Sequence, residues 1–215
     1  HRLGLLTARH TDRRRFTSWP VPEEKLEHLA DAGRPWGAGV LPVTEPGMRA
    51  QVEDLLEEAR RRQLADPRIA AETESWIDHD ESDGVPEAVL PQPEGVRGER
   101  PTRFGTGLVP DTEEPVLRGT DRVLVVSTAD DGPLSWLQAG ASLTALWLRA
   151  TATGLSVVPL SQLVEVQRTR IALEQLMPPP KRVPQVLARV GWQEIGRGGL
   201  PRTPRRPLDE VLDVR

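Results

Sequence analysis

The last third of the chain contains three short segments that are apolar almost without interruption. They are DRVLVVST (121–128), LSVVPLSQ (155–162) and PQVLARVGW (184–192). A strand with one face in water alternates apolar and polar residues, so uninterrupted runs of this length are typical of strands that are buried on both faces. These segments therefore predict buried strands.

Two helices are predicted between these strands. Residues 135–154, SWLQAGASLTALWLRATATG, begin at a capping serine, Ser135, end at Gly154 and are apolar on two adjoining faces. A helix with so much apolar surface is expected to be central and buried. Residues 162–176, QLVEVQRTRIALEQL, form the second helix. Because helices and strands alternate here, we expect an α/β or α+β fold.

The part of the chain before these strands is more polar. Its apolar spacing predicts a helix at 22–32, a strand at 37–45, a helix at 46–66 and a further helical segment from Pro67. Residues 81–118 are rich in proline and glycine, and long irregular segments of compact domains are usually lids, binding loops or disordered. We therefore expect a single domain over residues 1–215 with a lid-like insertion at about 81–118.

Composition limits the possible classes of protein. The chain has 215 residues, of which 28% are charged and 37% hydrophobic, as is typical of a folded domain. It has no cysteine, which excludes disulfides, thiol catalysis and cysteine-based metal sites. A membrane-length apolar run is absent and no leader precedes His1. We therefore expect a cytoplasmic protein with no membrane partner.

Arginines cluster near both ends of a chain whose net charge is −4. The clustered residues are Arg9, Arg13, Arg14 and Arg15 near one end and Arg202, Arg205 and Arg206 near the other. A phosphate monoester carries up to about two negative charges on three acceptor oxygens, which arginines and the Thr11 hydroxyl can bind. A solvated run of charge is an open alternative. A nucleic-acid-binding arm is another, but the negative net charge and the lack of interleaved aromatic residues argue against it.

Other kinds of site have little support in the sequence. There is no G-x-S-x-G for a serine hydrolase, no glycine-rich dinucleotide or P-loop motif, and no metal-ligand spacing among the four histidines. The segment DHDESDG (78–84) matches a calcium loop only in part, because its glycine comes one position late and Val89 replaces the last acidic ligand. We therefore predict no metal site and name no catalytic acid or base.

Taken together, these segments resemble the FMN-dependent nitroreductases. Arg9-His10-Thr11-Asp12-Arg13 is similar to the R-x-[ST]-x-[RK] phosphate-binding start of that family, and the apolar helix followed by GLSVVPLSQ is similar to its long core helix and next strand. The segments TDRRRF, WLRAT-x-x-GLSVVPLSQ and TPRRPLDEV resemble the Acg-like branch, known from mycobacteria and other actinobacteria. The resemblance implies an α+β fold with a central mixed sheet, flanking helices and a long buried central helix.

The resemblance also implies an oxidoreductase that binds FMN. NAD(P)H would be the co-substrate, and a nitro-compound or a quinone would be the small-molecule acceptor. The implied cofactor-binding residues are Arg9, Thr11 and Arg13 with Arg205 or Arg206 at the phosphate, and Pro159, Leu160 and Ser161 through their main chain at the ring. No further catalytic residue is required, because hydride transfer depends mostly on positioning.

Two features depart from the family pattern. The flavin-contacting segment P-S-x-x-N-x-Q-P-W is represented only by Pro35 and Trp36, and the chain resembles the second of two fused nitroreductase-like halves. We therefore expect a homodimer or pairing with a second half. The proline- and glycine-rich segment resembles a lid over the flavin, which leaves open a protein that stores or sequesters FMN without turnover.

Overall fold

The structure, a computed structural model, describes residues 2–14, 16–76, 85, 91–93, 109–111, 122–196, 199–200, 203 and 206–213. In chain order the elements of these residues are α1 Arg2–Ala8, α2 Glu23–Gly33, β1 Gly39–Pro42, α3 Pro46–Leu64, α4 Pro67–Trp76, β2 Pro91–Pro93, β3 Val109–Asp111, β4 Arg122–Thr128, α5 Pro133–Ala152, β5 Leu155–Leu160, α6 Gln162–Glu165, α7 Gln167–Leu176, β6 Val183–Trp192 and α8 Leu208–Val211. By its internal contacts the chain divides into two compact units.

The first unit contains a four-stranded sheet. It comprises His1–Asp12, Phe16–Gln63 and Pro115–Ile195, and its strands lie in the order β1-β4-β6-β5. The α+β class is confirmed, with helices on both faces of the sheet. The sheet was expected to be mixed, but all of its pairings are antiparallel.

Strand β4 explains why the apolar runs are uninterrupted. Leu124 and Val126 belong to the core that the sheet forms with α2 and α5. Val123 and Val125 alternate with them and belong to the opposite core, which includes side chains of α3, α6 and α7. Because both faces are buried, neither set can be polar. The prediction of a fully buried strand is confirmed.

Helix α5 is buried along one side only. It begins at Pro133, two residues before the expected cap, because proline is favoured in the first turn; the Ser135 hydroxyl instead donates to Asp130 Oδ1 at 2.7 Å. Its buried residues are Ser135, Ala139, Ser142, Leu146, Trp147 and Ala150. Leu134 and Leu137, by contrast, are 68% and 72% exposed. One of the two apolar faces is thus left uncovered within this unit.

The helix expected at 162–176 is two helices. Val166 separates α6 from α7 with extended backbone angles, φ −91° and ψ 110°. The Thr169 hydroxyl lies 2.7 Å from the Leu163 carbonyl oxygen and 2.9 Å from that of Val166. A side chain thus bonds to carbonyl groups at the break, as threonine often does where it competes with helical hydrogen bonds.

The second unit comprises Arg13–Arg15, Leu64–Glu114 and Gly196–Arg215. Its described elements are α4, α8 and a short parallel pair formed by β2 and β3. Of the predicted lid at about 81–118, only Val85 and these two strands are among the described residues. The rest of the lid lies outside them. A lid and a single domain over residues 1–215 therefore stay predictions.

Candidate functional site

The arginine-rich segment, whose described residues are 9–14 and 16–17, follows α1 and forms no regular helix or strand. Farther along it, the Thr17 amide donates to the Trp192 carbonyl at 2.8 Å, so the segment reaches the end of β6. Asp12, Arg14 and Phe16 are buried, His10 is exposed, and the predicted phosphate residues Arg9, Thr11 and Arg13 are half-buried. The role of these three residues at a phosphate stays a prediction.

Arg9 is held against the core by an aromatic ring. Its guanidinium carbon lies 4.5 Å from the centroid of the Trp147 ring, a distance typical of cation–π stacking. Trp147 itself is buried in the core between α5 and the sheet. The Nε atom of Arg9 is buried and has no hydrogen-bond acceptor among the described residues. Arg9 is therefore oriented by stacking, and its buried Nε donor is unmatched among the described residues.

Phe16 anchors the far end of the same segment. Its ring lies so close to Gly191 of β6 that a Cβ atom at that position would overlap it. The Arg189 guanidinium carbon lies 4.5 Å from the centroid of the same ring. Arg189 comes two residues before Gly191 in β6, so the two residues lie on the same face of the strand. Glycine at position 191 is therefore required by the close approach of this ring.

The predicted ring contacts lie where β5 ends. Pro159 and Leu160 pair with Ala188 and Leu187 of β6, and Leu160 packs against the core on the α3 side. Ser161 follows the last pair and comes directly before α6; its carbonyl accepts hydrogen bonds from the first turn of that helix. The structure thus places these three residues together in one strand-to-helix turn, which we call the β5–α6 turn (residues 159–162).

Two buried glutamines join this turn to α3. Gln63 and Gln162 are 4% and 8% exposed, and Gln162 Nε2 donates to Gln63 Oε1 at 3.0 Å. Gln63 Nε2 in turn donates to Glu165 Oε2 at the other end of α6. We call this chain of contacts the amide relay. It links residues about a hundred positions apart, and sequence reasoning missed it because no local pattern marks the pair.

A second polar network, also missed from the sequence, centres on Asp131 in the loop between β4 and α5. Arg170 donates to both carboxylate oxygens, at 2.7 and 3.0 Å, and Trp136 Nε1 donates at 2.7 Å. Gln185 adds a bond of 3.2 Å. These contacts hold the pKa of Asp131 well below its ordinary value, and the hydrogen bond from Arg170 has the largest effect. Trp136 is 55% exposed.

The C-terminal arginines are only partly placed. Arg202 and Arg205 lie outside the described residues, and Arg206 is exposed. Arg9 and the β5–α6 turn lie in the first unit, whereas Arg13 and Arg206 belong to the second. The roles predicted for Arg205 and Arg206 at a phosphate therefore stay predictions.

Comparison with known proteins decides the family. The model of the nitroreductase family matches residues 6–192, which include the arginine-rich segment, the sheet and the β5–α6 turn. The chain belongs to the nitroreductase family. Within the part of the chain that the structure describes, no helix is long and apolar enough to cross a membrane.

Relatives from Mycobacterium tuberculosis place this chain in the Acg-like branch of the family, as predicted. The protein acg, which is named as an NAD(P)H nitroreductase, is 33% identical over 227 residues that cover 100% of this chain and 66% of acg. Rv3131, which has the same kind of name, is 31% identical over 215 residues, 98% of this chain and 61% of its own. The chain thus spans about three fifths to two thirds of the length of these relatives.

Solved nitroreductases have the same fold. One with bound FMN from Bacteroides fragilis superposes with a TM-score of 0.59 at 14% identity, covering 100% of this chain and 99% of its own. Another with bound FMN, from Desulfitobacterium hafniense, has a TM-score of 0.59 at 12% identity and covers 100% and 97%. At such low identity the likeness establishes the fold.

Proposed function

We propose that this chain binds FMN and acts as an NAD(P)H-dependent reductase of small acceptors. The observation that carries the proposal is the state of Arg9. Its stem and guanidinium are fixed on Trp147, and its Nε is a buried donor without an acceptor among the described residues. A buried donor left in this way is unfavourable by about 1–3 kcal/mol. A phosphate oxygen would satisfy it with a charge-assisted bond.

The residues that follow Arg9 in the sequence are of types that fit a phosphate monoester. Thr11 and Arg13 are half-buried, as Arg9 is. Arginine forks and a hydroxyl provide the several donors that three phosphate oxygens need. Arg205 or Arg206 would add a further positive charge, as the family resemblance implies.

The β5–α6 turn would hold the ring. Pro159, Leu160 and Ser161 offer main-chain groups on a rigid support, because the ladder with β6 runs up to Leu160. When bound, FMN supplies the two-electron chemistry by which NAD(P)H reduces a nitro-compound or a quinone. The residues of this chain would bind, orient and screen the reactants, and none is assigned as a proton donor.

The uncovered face of α5 supports pairing with a homodimer partner or a second nitroreductase-like half. Leu134 and Leu137 are largely exposed on this face, and Ala141 and Leu148 continue it along the helix. Adjacent apolar side chains left in water are typical of an interface. Light scattering should therefore report an assembly larger than one chain, and a stable monomer that holds FMN would contradict this part of the proposal.

Flavin binding by the purified chain tests the proposal. Titration against FMN and riboflavin, followed by quenching of flavin fluorescence, should give an affinity for FMN that is at least about tenfold higher, because only FMN has the phosphate. Replacing Arg9→Met keeps the stem against Trp147 but removes the donors, so it should reduce this preference. Failure to bind either flavin, or equal affinities for the two, would overturn the proposal.

A further inference from the structure

The β5–α6 turn leaves the sheet between two described supports. The ladder between β5 and β6 ends at the pair Leu160–Leu187, so Ser161 and Gln162 follow the last paired residue. Leu163 then enters the core on the α3 side. Between these two supports, the amide relay joins the turn to α3 through Gln63.

The relay has a defined direction. An ionised carboxylate only accepts hydrogen bonds, so Glu165 requires the nitrogen of the Gln63 amide. The oxygen of the same amide then faces Gln162, which donates to it at 3.0 Å. Both glutamines are more than nine-tenths buried, so water cannot replace a lost partner without rearrangement. Gln63 therefore fixes the two ends of α6 at once.

We propose that Gln63 is a positioning residue for the flavin ring: through Gln162 it sets where the main chain of Leu160 and Ser161 lies. This inference rests on the proposed function, since it concerns the part of that site that would contact the ring. Gln63 does not reach the flavin itself. It acts by holding the turn, so that loss of the relay moves the main chain that contacts the ring while leaving the phosphate-binding segment unchanged.

A reciprocal exchange of groups provides the test. In Gln63→Glu, two carboxylates would face each other where one amide donor and one carboxylate now meet, and their repulsion should displace α6. Adding Glu165→Gln restores one amide and one carboxylate: Gln162 and the new amide at position 165 would both donate to the carboxylate at position 63. The double variant has the same net charge as the original chain.

The readouts are flavin affinity, the visible absorption spectrum of bound flavin and its midpoint potential. We expect Gln63→Glu to weaken the binding of FMN and of riboflavin by the same factor, about tenfold. It should also shift the absorption spectrum and the midpoint potential of the bound flavin. The double variant should recover part of the lost affinity for both flavins, because the repulsion is removed although the carboxylate now lies at the buried position 63. Gln63→Met, which keeps the volume but removes the amide, should act like Gln63→Glu and replaces it if that variant does not fold.

Ser142→Ala is the matched control. It removes another fully buried hydrogen bond, from the Ser142 hydroxyl to the Gly33 carbonyl at 2.9 Å, between α5 and α2. It should lower the thermal midpoint but leave the spectrum and potential of bound flavin unchanged. Suppose that the original chain binds flavin, and that the spectrum, the potential and the affinity are unaltered in both Gln63→Glu and Gln63→Met. This result would overturn the inference about Gln63 but not the proposed function. If the original chain binds no flavin, the proposed function fails and this inference falls with it.

Discussion

The arginine-rich segment and the β5–α6 turn are held in place by different kinds of contact. The segment has irregular backbone, and two side-chain stacks fix it: Arg9 on Trp147 and Phe16 beneath Arg189. The turn is fixed through its backbone by the ladder with β6 and through the buried amides of the relay. Ring stacking orients a guanidinium without using its hydrogen-bonding edges. A strand end instead presents main-chain groups in fixed positions.

This difference suggests that the two regions of the proposed site bind different parts of the flavin. Side chains that are oriented by stacking suit a phosphate, which needs several charged donors. Main chain fixed by a ladder suits a planar ring, whose polar edge needs donors at defined points. Each region should therefore respond to its own class of substitution.

The largest effect is expected from loss of the ring that anchors the segment. Phe16→Ala should lower the free energy of unfolding by about 3–5 kcal/mol, because the buried ring leaves a cavity between Gly191 and Arg189. Chemical denaturation measures this loss. Trp19→Ala serves as the control, since Trp19 is exposed and its removal should have little effect. A loss of less than about 1 kcal/mol from Phe16→Ala would mean that the ring does not anchor the segment.

Removal of one predicted phosphate contact separates the two regions directly. Arg13→Ala should weaken FMN binding by about 1.5–3 kcal/mol, the scale of a hydrogen bond to a charged group. Riboflavin binding should hardly change, because the ring contacts remain. Arg61→Ala, on an exposed position of α3, controls for the loss of one positive charge. Equal losses for FMN and riboflavin would contradict a phosphate role for Arg13.

A smaller effect tests the close approach of Phe16 to β6. Gly191→Ala should destabilise the chain by about 1–3 kcal/mol, because the new methyl group occupies space that the Phe16 ring fills. In the Phe16→Ala background the same change should be nearly neutral, since the space is then empty. Denaturation of all four chains in this cycle gives the coupling. Additive effects would show that the two residues do not compete for one space.

The smallest effect concerns the Asp131 network, which belongs to neither region. Because the pKa of Asp131 is lowered in the folded chain, its carboxylate stabilises the fold at pH values above its ordinary pKa of about 4. This contribution is lost as the pH falls below that value. The side chain is 41% exposed, so the contribution should not exceed about 1 kcal/mol. Asp131→Asn should therefore flatten the loss of stability below about pH 4. An unchanged acid profile would exclude the network from the pH dependence.

Most of the sheet could be predicted from the sequence because burial on both faces leaves a local trace. The strands β4, β5 and β6 follow from their apolar runs, and α2 and α3 from the spacing of their apolar residues. Helix α1 was missed, because Leu3 and Leu6 are exposed and no buried stripe marks it. The break at Val166 was also missed, since it depends on hydrogen bonds of Thr169 and the apolar spacing continues across it.

The candidate site could be predicted only where its residues are close in sequence. The spacing of Arg9, Thr11 and Arg13 is visible in the sequence. The apolar run that predicts the strand leading to Pro159 is visible there too. The contact between Phe16 and Gly191, by contrast, is not visible in the sequence. The same holds for Gln63 and Gln162, which are ordinary polar residues until the fold brings them together.

The amide relay also constrains how related chains can diverge. A glutamine at position 63 satisfies both a donor at position 162 and an acceptor at position 165. A change at one of the three positions leaves a buried group unmatched, whereas a coordinated change can match them again. Among relatives that keep this packing, the residues at these positions should therefore covary. Pairs of apolar residues should replace the two glutamines together more often than either one is replaced alone.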